Sequence, residues 1–503
     1  MRATLGIDLG TGSTKAALVD DAGRPVAESW AAHSAAAEVD TRLWWRSTVR
    51  AVRGVLAQAG RSCAVAAVGL TGQMHGVVLV DRRLRPLMPA ITWASVRSPD
   101  EVARLAAPYA ASLANPVVAG MPAVTLFLLN RQPTMWNVPI RPGTMSHRRQ
   151  TAGGLDDTHL ALQPKDWLGA RLTGEAVTDP TDASATLLWD FDTAGWHRPW
   201  VQALGLDAAL LPPVAPSDDL RGVLLPAAAA ALGLPAGLPV TVGRGDTPAA
   251  LVGSGTAGRG AGGAQVSVGT GAQICRIVDT VRPDPTRRTH LYCGPGPAQW
   301  YAMAATLSAG LALEWVRRVL RVSWPRLYSE AFDCPPGADG VVFLPYLAGE
   351  RTPYLDPRLS AAWRGLRLEH GRPQLLRAAL EGSAFALRDA WDALLAAGHD
   401  ADAFVLAGGG TMDPRWRQLL ADVLRRPLTV TPHGAGSARG AALSAAVALH
   451  WFPDLPTAAA TAGTPHLVAE PGRHDYAVPL ARFRAHSREV SGRGRRGFGG
   501  PAR

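Results

Sequence analysis

The sequence is nearly without lysine. Lys15 and Lys165 are the only two among 51 basic residues, and the rest are arginine. Cysteine is scarce as well, with Cys63, Cys275, Cys293 and Cys334 scattered along 503 residues. No two of them form a Cys-x-x-Cys pair and no histidine follows at zinc spacing, which excludes a zinc finger or a disulfide framework. They are expected as small core residues in a reducing compartment. No uninterrupted run of about 18 apolar residues occurs, so no membrane span is expected. An acid at position 8 breaks the first apolar stretch, so no signal peptide is read there either. The expectation is a cytoplasmic protein. That setting weighs against reading Arg244-Gly245-Asp246 as the tripeptide that cell-surface receptors bind.

The net charge of +10 would suit a nucleic-acid partner if it were spread over a surface. It is not: Ala481 to Arg503 carry seven arginines and one glutamate. The end of the chain, "SGRGRRGFGGPAR", has too little apolar surface to fold alone and reads as a disordered, solvated tail. The remaining charge is ordinary, and no specific nucleic-acid partner is expected. A chain of this length exceeds what one core encloses, so two domains are expected.

What is present is a repeated pattern. "TLGIDLGTGSTKAALVD" reads as a β-hairpin around a Gly/Ser/Thr turn between Asp8 and Lys15. "QVSVGTGAQICRIVD" repeats it later, and at an offset of 259 Gly10-Thr11-Gly12 falls on Gly269-Thr270-Gly271 and Asp20 on Asp279. Helical spacing follows the first hairpin over Leu43 to Gly60. After the second come helices at Pro373 to Ala397, at Pro414 to Arg426 and from Gly436. The reading is two α/β domains: residues 1–247, a glycine-rich hinge over 248–264, residues 265–450, and an extension over 451–503. The hinge contains Gly-x-Gly-x-x-Gly at Gly253, Gly255 and Gly258, but more glycine follows where a dinucleotide fold needs a helix. Gly10 to Lys15 is not a Walker A loop, which requires a glycine just before its lysine. A glycine turn still forms a nest of backbone N–H groups for an anion. Two such turns, one opening each domain, suit a nucleotide held from both sides of a cleft.

In order and spacing, the motifs resemble the FGGY carbohydrate kinases, a branch of the actin-like ATPases. The similarity runs from about residue 4 to 450. It rests on "DLGTGSTK", "TGQMHGVVLVD", "VTVGRGDTPAA", "SVGTGAQ", "FLPYLAGERTPYLDP", "AAWRGLRLEHGRPQLLRAALEG" and "AGGGTMDPRWRQLLADVL". The resemblance implies two ribonuclease H-like domains flanking a deep cleft. It implies transfer of the γ-phosphoryl group of ATP to a ketopentose, D-xylulose, in xylose catabolism. By the same resemblance Asp246 is the general base, and Gln73, Met74, His75 and Trp93 line the sugar. ATP and its phosphates fall to Asp8, Thr11, Gly12, Ser13, Thr14 and Lys15, to Gly269, Thr270 and Gly271, and to Gly408, Gly409 and Gly410. Asp8 would also hold Mg²⁺ through water, since that ion dehydrates reluctantly. A homodimer is a further expectation from the resemblance alone.

The sequence departs from the family pattern in the N-terminal domain. Ser95 stands where an acid is usual, Thr125 where a lysine is, and Leu128 where a tryptophan is. From about Thr134 to Leu162 the pattern is lost, and "TMWNVPIRPGTMSHRRQTAGGLDD" reads as an irregular insertion. Two other readings therefore stand beside the first. One is a kinase for another ketose or polyol, with glycerol disfavoured because Met74-His75 replaces the Arg-Glu pair expected there. The other is a sugar- or nucleotide-responsive binding protein with impaired catalysis.

Overall fold

Each glycine hairpin begins a sheet, and the two sheets repeat one topology. The computed structural model describes residues 1–60, 63–131, 155, 157–433 and 436–496. The irregular stretch from Thr134 lies, except for Leu155 and Asp157, outside them. In the first sheet, β1 (Arg2–Leu9) pairs antiparallel with β2 (Ser13–Asp20), and β2 with β3 (Pro25–Ala32). On its other side β1 pairs parallel with β4 (Ala64–Gly72). The sheet continues through β5 (Leu220–Val223), β6 (Pro239–Thr241) and the two-residue β7 (Arg244–Gly245), in the order β5-β6-β4-β1-β2-β3 with β7 also on β4. All of β1 after Arg2 is buried, as befits a strand covered on both faces. The covering helix α1 (Thr41–Ala59) starts where the Asp40 side chain accepts from the Arg42 N–H and stops at Gly60.

The second sheet is built from β8 (Ala264–Val268), β9 (Ala272–Val278), β10 (His290–Cys293), β11 (Trp300–Thr306), β12 (Phe404–Ala407), β13 (Leu428–Val430) and β14 (His466–Ala469). Its order is β10-β11-β9-β8-β12-β13-β14. The run β11-β9-β8-β12-β13 has the strand directions of β3-β2-β1-β4-β6: antiparallel on one side of the first strand, parallel on the other. Two α/β domains of actin-like kind are what the sequence led one to expect.

Register and boundaries correct several details. Leu9 pairs with Thr14 but Val268 with Ala272, so the second turn is one residue shorter than the first. The offset of 259 therefore holds up to the turn and becomes 258 after it, and Asp279 is not the partner of Asp20. Strand β14 and the helix Ala477–Arg496 follow residue 450, yet β14 is the edge strand of the second sheet. The helix also runs into the Gly/Arg-rich stretch read as a disordered tail, where regular i to i−4 bonding continues as far as Arg496. The glycine-rich hinge begins as a helix, α2 (Asp246–Gly253).

A second helix also crosses the boundary. It is α3 (Ser437–Ala448), which lies in sequence between the strands β13 and β14 of the second sheet but packs on the first. A Cβ on Gly6 of β1 would fall 1.8 Å from the Ala438 carbonyl, and one on Gly69 of β4 equally close to that of Ala441. Those two glycines let the helix backbone rest on the strands. Helices α2 and α3 pack on each other, so the chain passes between its halves through a pair of tightly crossed helices. No helix among the described residues is long and apolar enough to cross a membrane.

Candidate active site

The carboxyl ends of the parallel strands meet the space between the sheets, which is where open α/β sheets place their ligands. In the first sheet, Asp8 of β1 is in register with Thr71 of β4, and Thr71 with Arg244 of β7. Asp246 follows β7 and is the first residue of α2, while Gln73, Met74 and His75 follow β4. In the second sheet the turn Gly269–Gly271 follows β8, and Gly408 to Gly410 follow its parallel neighbour β12. The residues singled out from sequence thus lie at or just beyond the carboxyl ends of strands in the two sheets.

Asp246 is pushed up to about 7, first by burial and next by the negative charge of Asp8, with Thr247 and Lys15 opposing. Asp8 is raised in turn by burial, and Lys15, 4.0 Å away, draws it back. The Oδ1 atom of Asp8 is buried and has no hydrogen-bond partner among the described residues. A carboxylate left in that state is costly, and a hydrated cation would satisfy it. Among the described residues no group of three or more His, Cys, Asp or Glu forms a metal cage.

In the first turn, Thr11, Gly12, Ser13 and Lys15 are at least partly exposed, but Thr14 is not. Its hydroxyl is fully buried and shares a 2.7 Å hydrogen bond with Ser47 of α1. Strand alternation is the reason: Ser13 and Lys15 point outward, so Thr14 points in. As a side-chain phosphate ligand Thr14 is corrected. Trp93 is placed differently from a simple sugar wall. Its indole N–H donates to Thr11 Oγ1 at 2.9 Å, and the guanidinium of Arg351, from the second half of the chain, lies 5.4 Å from its ring centre. The indole joins the first turn to a residue of the second half of the chain.

Met74 is buried in an apolar cluster shared by both halves, with Sδ 3.6 Å from the Tyr301 hydroxyl. His75 sits at φ 65°, in the left-handed region that a side chain disfavours. Its backbone N–H donates to Gln163 Oε1, and Nδ1 lies 2.7 Å from the Ala185 carbonyl. A carbonyl only accepts, so Nδ1 carries the proton and Nε2 is a bare acceptor. Burial, then the Arg351 charge, lower the imidazole to about 4 against the Ala185 bond. His75 is neutral and can accept from a hydroxyl. Gln73 Nε2 donates to the Gly10 carbonyl at 3.4 Å, tying β4 to the first turn. Ser95, where an acid was expected, is buried and accepts from Arg97, which pairs with Glu38.

In the second turn, the carbonyls of Gly269 and Thr270 accept from the N–H groups of Gly310 and Leu311, at the start of a helix (Gly310–Val319). Gly269 and Thr270 are exposed. Gly408 has φ 91°, and a Cβ there would lie 2.3 Å from the Val268 carbonyl, so only glycine lets this turn sit on β8. Gly409 faces open space.

Sequence reasoning missed Arg351 and the surroundings of Lys165. Arg351 stands beside Trp93, and its charge adds to the effect of burial in lowering both His75 and His290. Lys165 is fully buried against Asp166, Asp179 and Asp182. Its rarity in an arginine-rich chain was the available signal. The tripeptide reading of residues 244–246 also ends here: Arg244 is fully buried, pairing with Asp218 and donating to the Pro295 carbonyl across the domain boundary.

Comparison with known proteins agrees with this geometry. Residues 3–253 match the N-terminal domain of the FGGY family of carbohydrate kinases, and residues 264–449 its C-terminal domain. A xylulose kinase of Escherichia coli (strain K12) is 33% identical over 455 residues, covering 88% of this chain and 90% of that protein. The crystal structure of a xylulose kinase from Rhodospirillum rubrum superposes with a TM-score of 0.80 at 27% identity, covering 98% of this chain and 99% of the other. A ligand-bound xylulose kinase from Lactobacillus acidophilus shares the fold, with a TM-score of 0.85 at 22% identity over 99% of each chain. The chain belongs to the FGGY family of carbohydrate kinases, phosphotransferases that phosphorylate a sugar with ATP as co-substrate.

Proposed function

We propose that this kinase phosphorylates D-xylulose to D-xylulose 5-phosphate, with Asp246 as the general base. The observation that carries the assignment is the placement of Asp246: a carboxyl that follows the strand β7 and opens α2, near the buried Asp8, where burial and that neighbouring charge raise it to about 7. A base with its pKa near the working pH is the effective one. The xylulose kinases among the relatives support the ketopentose.

In this reading the cleft positions the attacking hydroxyl between Asp246 and the terminal phosphate. The hydroxyl oxygen bonds to the γ-phosphorus, the bond from that phosphorus to the β–γ bridging oxygen breaks, and ADP leaves. Asp246 takes the hydroxyl proton. Nε2 of His75 accepts from another sugar hydroxyl and Met74 packs beneath the carbon skeleton. The N–H groups of the two glycine turns, with Lys15, hold the phosphates, and Gly408 to Gly410 let the adenosine approach the backbone. Asp8, through its unpartnered Oδ1, fits the hydration shell of a magnesium ion. Bound there, the ion would neutralise charge on the transferring phosphate.

ADP release measured with a panel of ketoses and polyols tests the substrate. D-xylulose is expected to give the highest kcat/KM. No ADP above the sugar-free background with D-xylulose, alongside turnover of another sugar, would overturn it.

A further inference from the structure

The charged cluster around Lys165 holds the backbone that carries Asp246. Lys165 lies near the start of a helix (Pro164–Thr173), and Asp179 precedes a short one (Pro180–Ser184). The ammonium of Lys165 is 2.5 Å from Asp166, 3.2 Å from Asp179 and 3.5 Å from Asp182, and all four side chains are fully buried. Burial opposes the charge on Lys165, but the three carboxylates outweigh it and raise its pKa above the ordinary value. Asp182 is held well above the usual carboxylate range, by burial first. Buried charge of this kind is poor evidence for stability, since an apolar replacement of the same shape is often as stable. What the cluster does supply is direction.

Three links run from it to the four residues before Asp246. Lys165 donates to the Val242 carbonyl at 3.4 Å. Asp179 Oδ2 accepts from the hydroxyls of Thr181 and Ser217, both at 2.7 Å. Having donated its proton to Asp179, the Thr181 oxygen accepts from the Gly245 N–H at 2.9 Å. The carbonyl of Ser217 accepts from the Gly243 N–H at the same distance. At Gly245 there is no slack: a Cβ would lie 2.8 Å from Met74 Cγ and 3.2 Å from Asp182 Oδ1. Each hydroxyl has its direction set by the carboxylate, and the carboxylate has its orientation set by the ammonium.

We infer that Lys165, Asp179 and Thr181 are positioning residues for the phosphoryl transfer: together they aim the turn 242–245, and with it the Asp246 carboxylate, at the attacking hydroxyl. The inference rests on the assignment of Asp246 as base. A displacement of about 1 Å in a reacting group is enough to lower a rate roughly a hundredfold. Thr181→Val removes the hydroxyl and keeps the shape, whereas Thr181→Ser keeps the hydroxyl. Thr181→Val is expected to lower kcat about 10- to 100-fold with the KM for ATP changed less than about twofold, and Thr181→Ser to restore most of the rate. Wild-type kcat in Thr181→Val, or equal loss in both variants, would overturn the inference. Should Thr181→Val fail to fold, Ser217→Ala carries the test: a severalfold fall in kcat supports the link through Asp179, and an unchanged kcat overturns it. Asp246→Asn, assayed in parallel, separates the two ideas. If it is inactive while Thr181→Val is fully active, only the positioning network fails. If it keeps wild-type turnover, the base assignment itself fails.

Discussion

The two glycine turns stand on the same hairpin in the same kind of sheet, yet their flanking residues differ in charge. By strand register, Asp8 and Lys15 of the first correspond to Ser267 and Gln273 of the second. The first turn therefore carries a buried carboxylate and an exposed ammonium 4.0 Å apart, and the second carries neutral side chains. Gln273 reaches instead toward Thr247, the neighbour of Asp246, at 3.4 Å. The repeated part, a backbone turn at a strand end, can cradle an anion in either half. The unrepeated part, the charge, is confined to the half that carries Asp246. One architecture thus carries neutral side chains beside the turn of one half and a charged pair beside that of the other. The sharpest tests remove charge from the first side or space from the second.

The largest effect is expected at Asp246. Asp246→Asn should lower kcat by about 10²- to 10⁴-fold with little change in the KM for ATP, as measured by coupled ADP release. As a general base the carboxyl would act only when ionised. The rate kcat/KM should therefore climb as pH rises through about 7 and level above it. A profile flat from pH 5 to 9 would remove Asp246 from the role.

Asp8→Asn comes next. It should raise the Mg²⁺ needed for half-maximal rate by about 10- to 100-fold, the usual loss when an outer-sphere partner is removed. Asp8 also raises the pKa of Asp246. Without that negative charge Asp246 ionises more easily, so the acidic limb should move to lower pH. A limb that stays in place would show that the two carboxylates do not sense each other.

The hairpins, the long helix and the place of Asp246 were legible because each has a local signature: alternation around a glycine turn, helical spacing, an acid at a strand end. Alternation also carried the fate of Thr14, since outward Ser13 and Lys15 leave it facing α1. What sequence could not supply was the meeting of distant segments. Lys165, Asp179 and Ser217 converge only after the intervening short elements have folded, and nothing in their spacing distinguishes a buried cluster from solvated charges. Helix α3 was assigned to the half it follows in sequence, yet it lies on the other sheet. Glycines 6 and 69, which make room for it, look from sequence like ordinary strand residues. The one-residue difference between the turns was hidden because both read Gly-Thr-Gly.

On the neutral side, Gly408→Ala should break the grip without touching charge. The new Cβ would meet the Val268 carbonyl in a backbone conformation that alanine disfavours. Strain of this kind costs about 1–3 kcal/mol, to be read as a lowered Tm. If the second side holds the nucleotide, the KM for ATP should rise while that for D-xylulose does not. A parallel rise in both would mean that the turn supports the fold as a whole.

Lys15→Gln is the mildest change, and it makes the first hairpin resemble the second. Lys15 is largely exposed, so its pairing with Asp8 contributes under about 1 kcal/mol to stability, and Tm should barely move. Its charge, however, lowers the pKa of Asp246, in opposition to Asp8. Removing it should shift the acidic limb to higher pH, the reverse of Asp8→Asn. A solvent-screened ammonium acts more weakly than a buried carboxylate, so the shift should also be the smaller of the two. Opposite signs in the two variants would place Asp246 in the field of both charges. Shifts of the same sign would mean that the limb follows some other group.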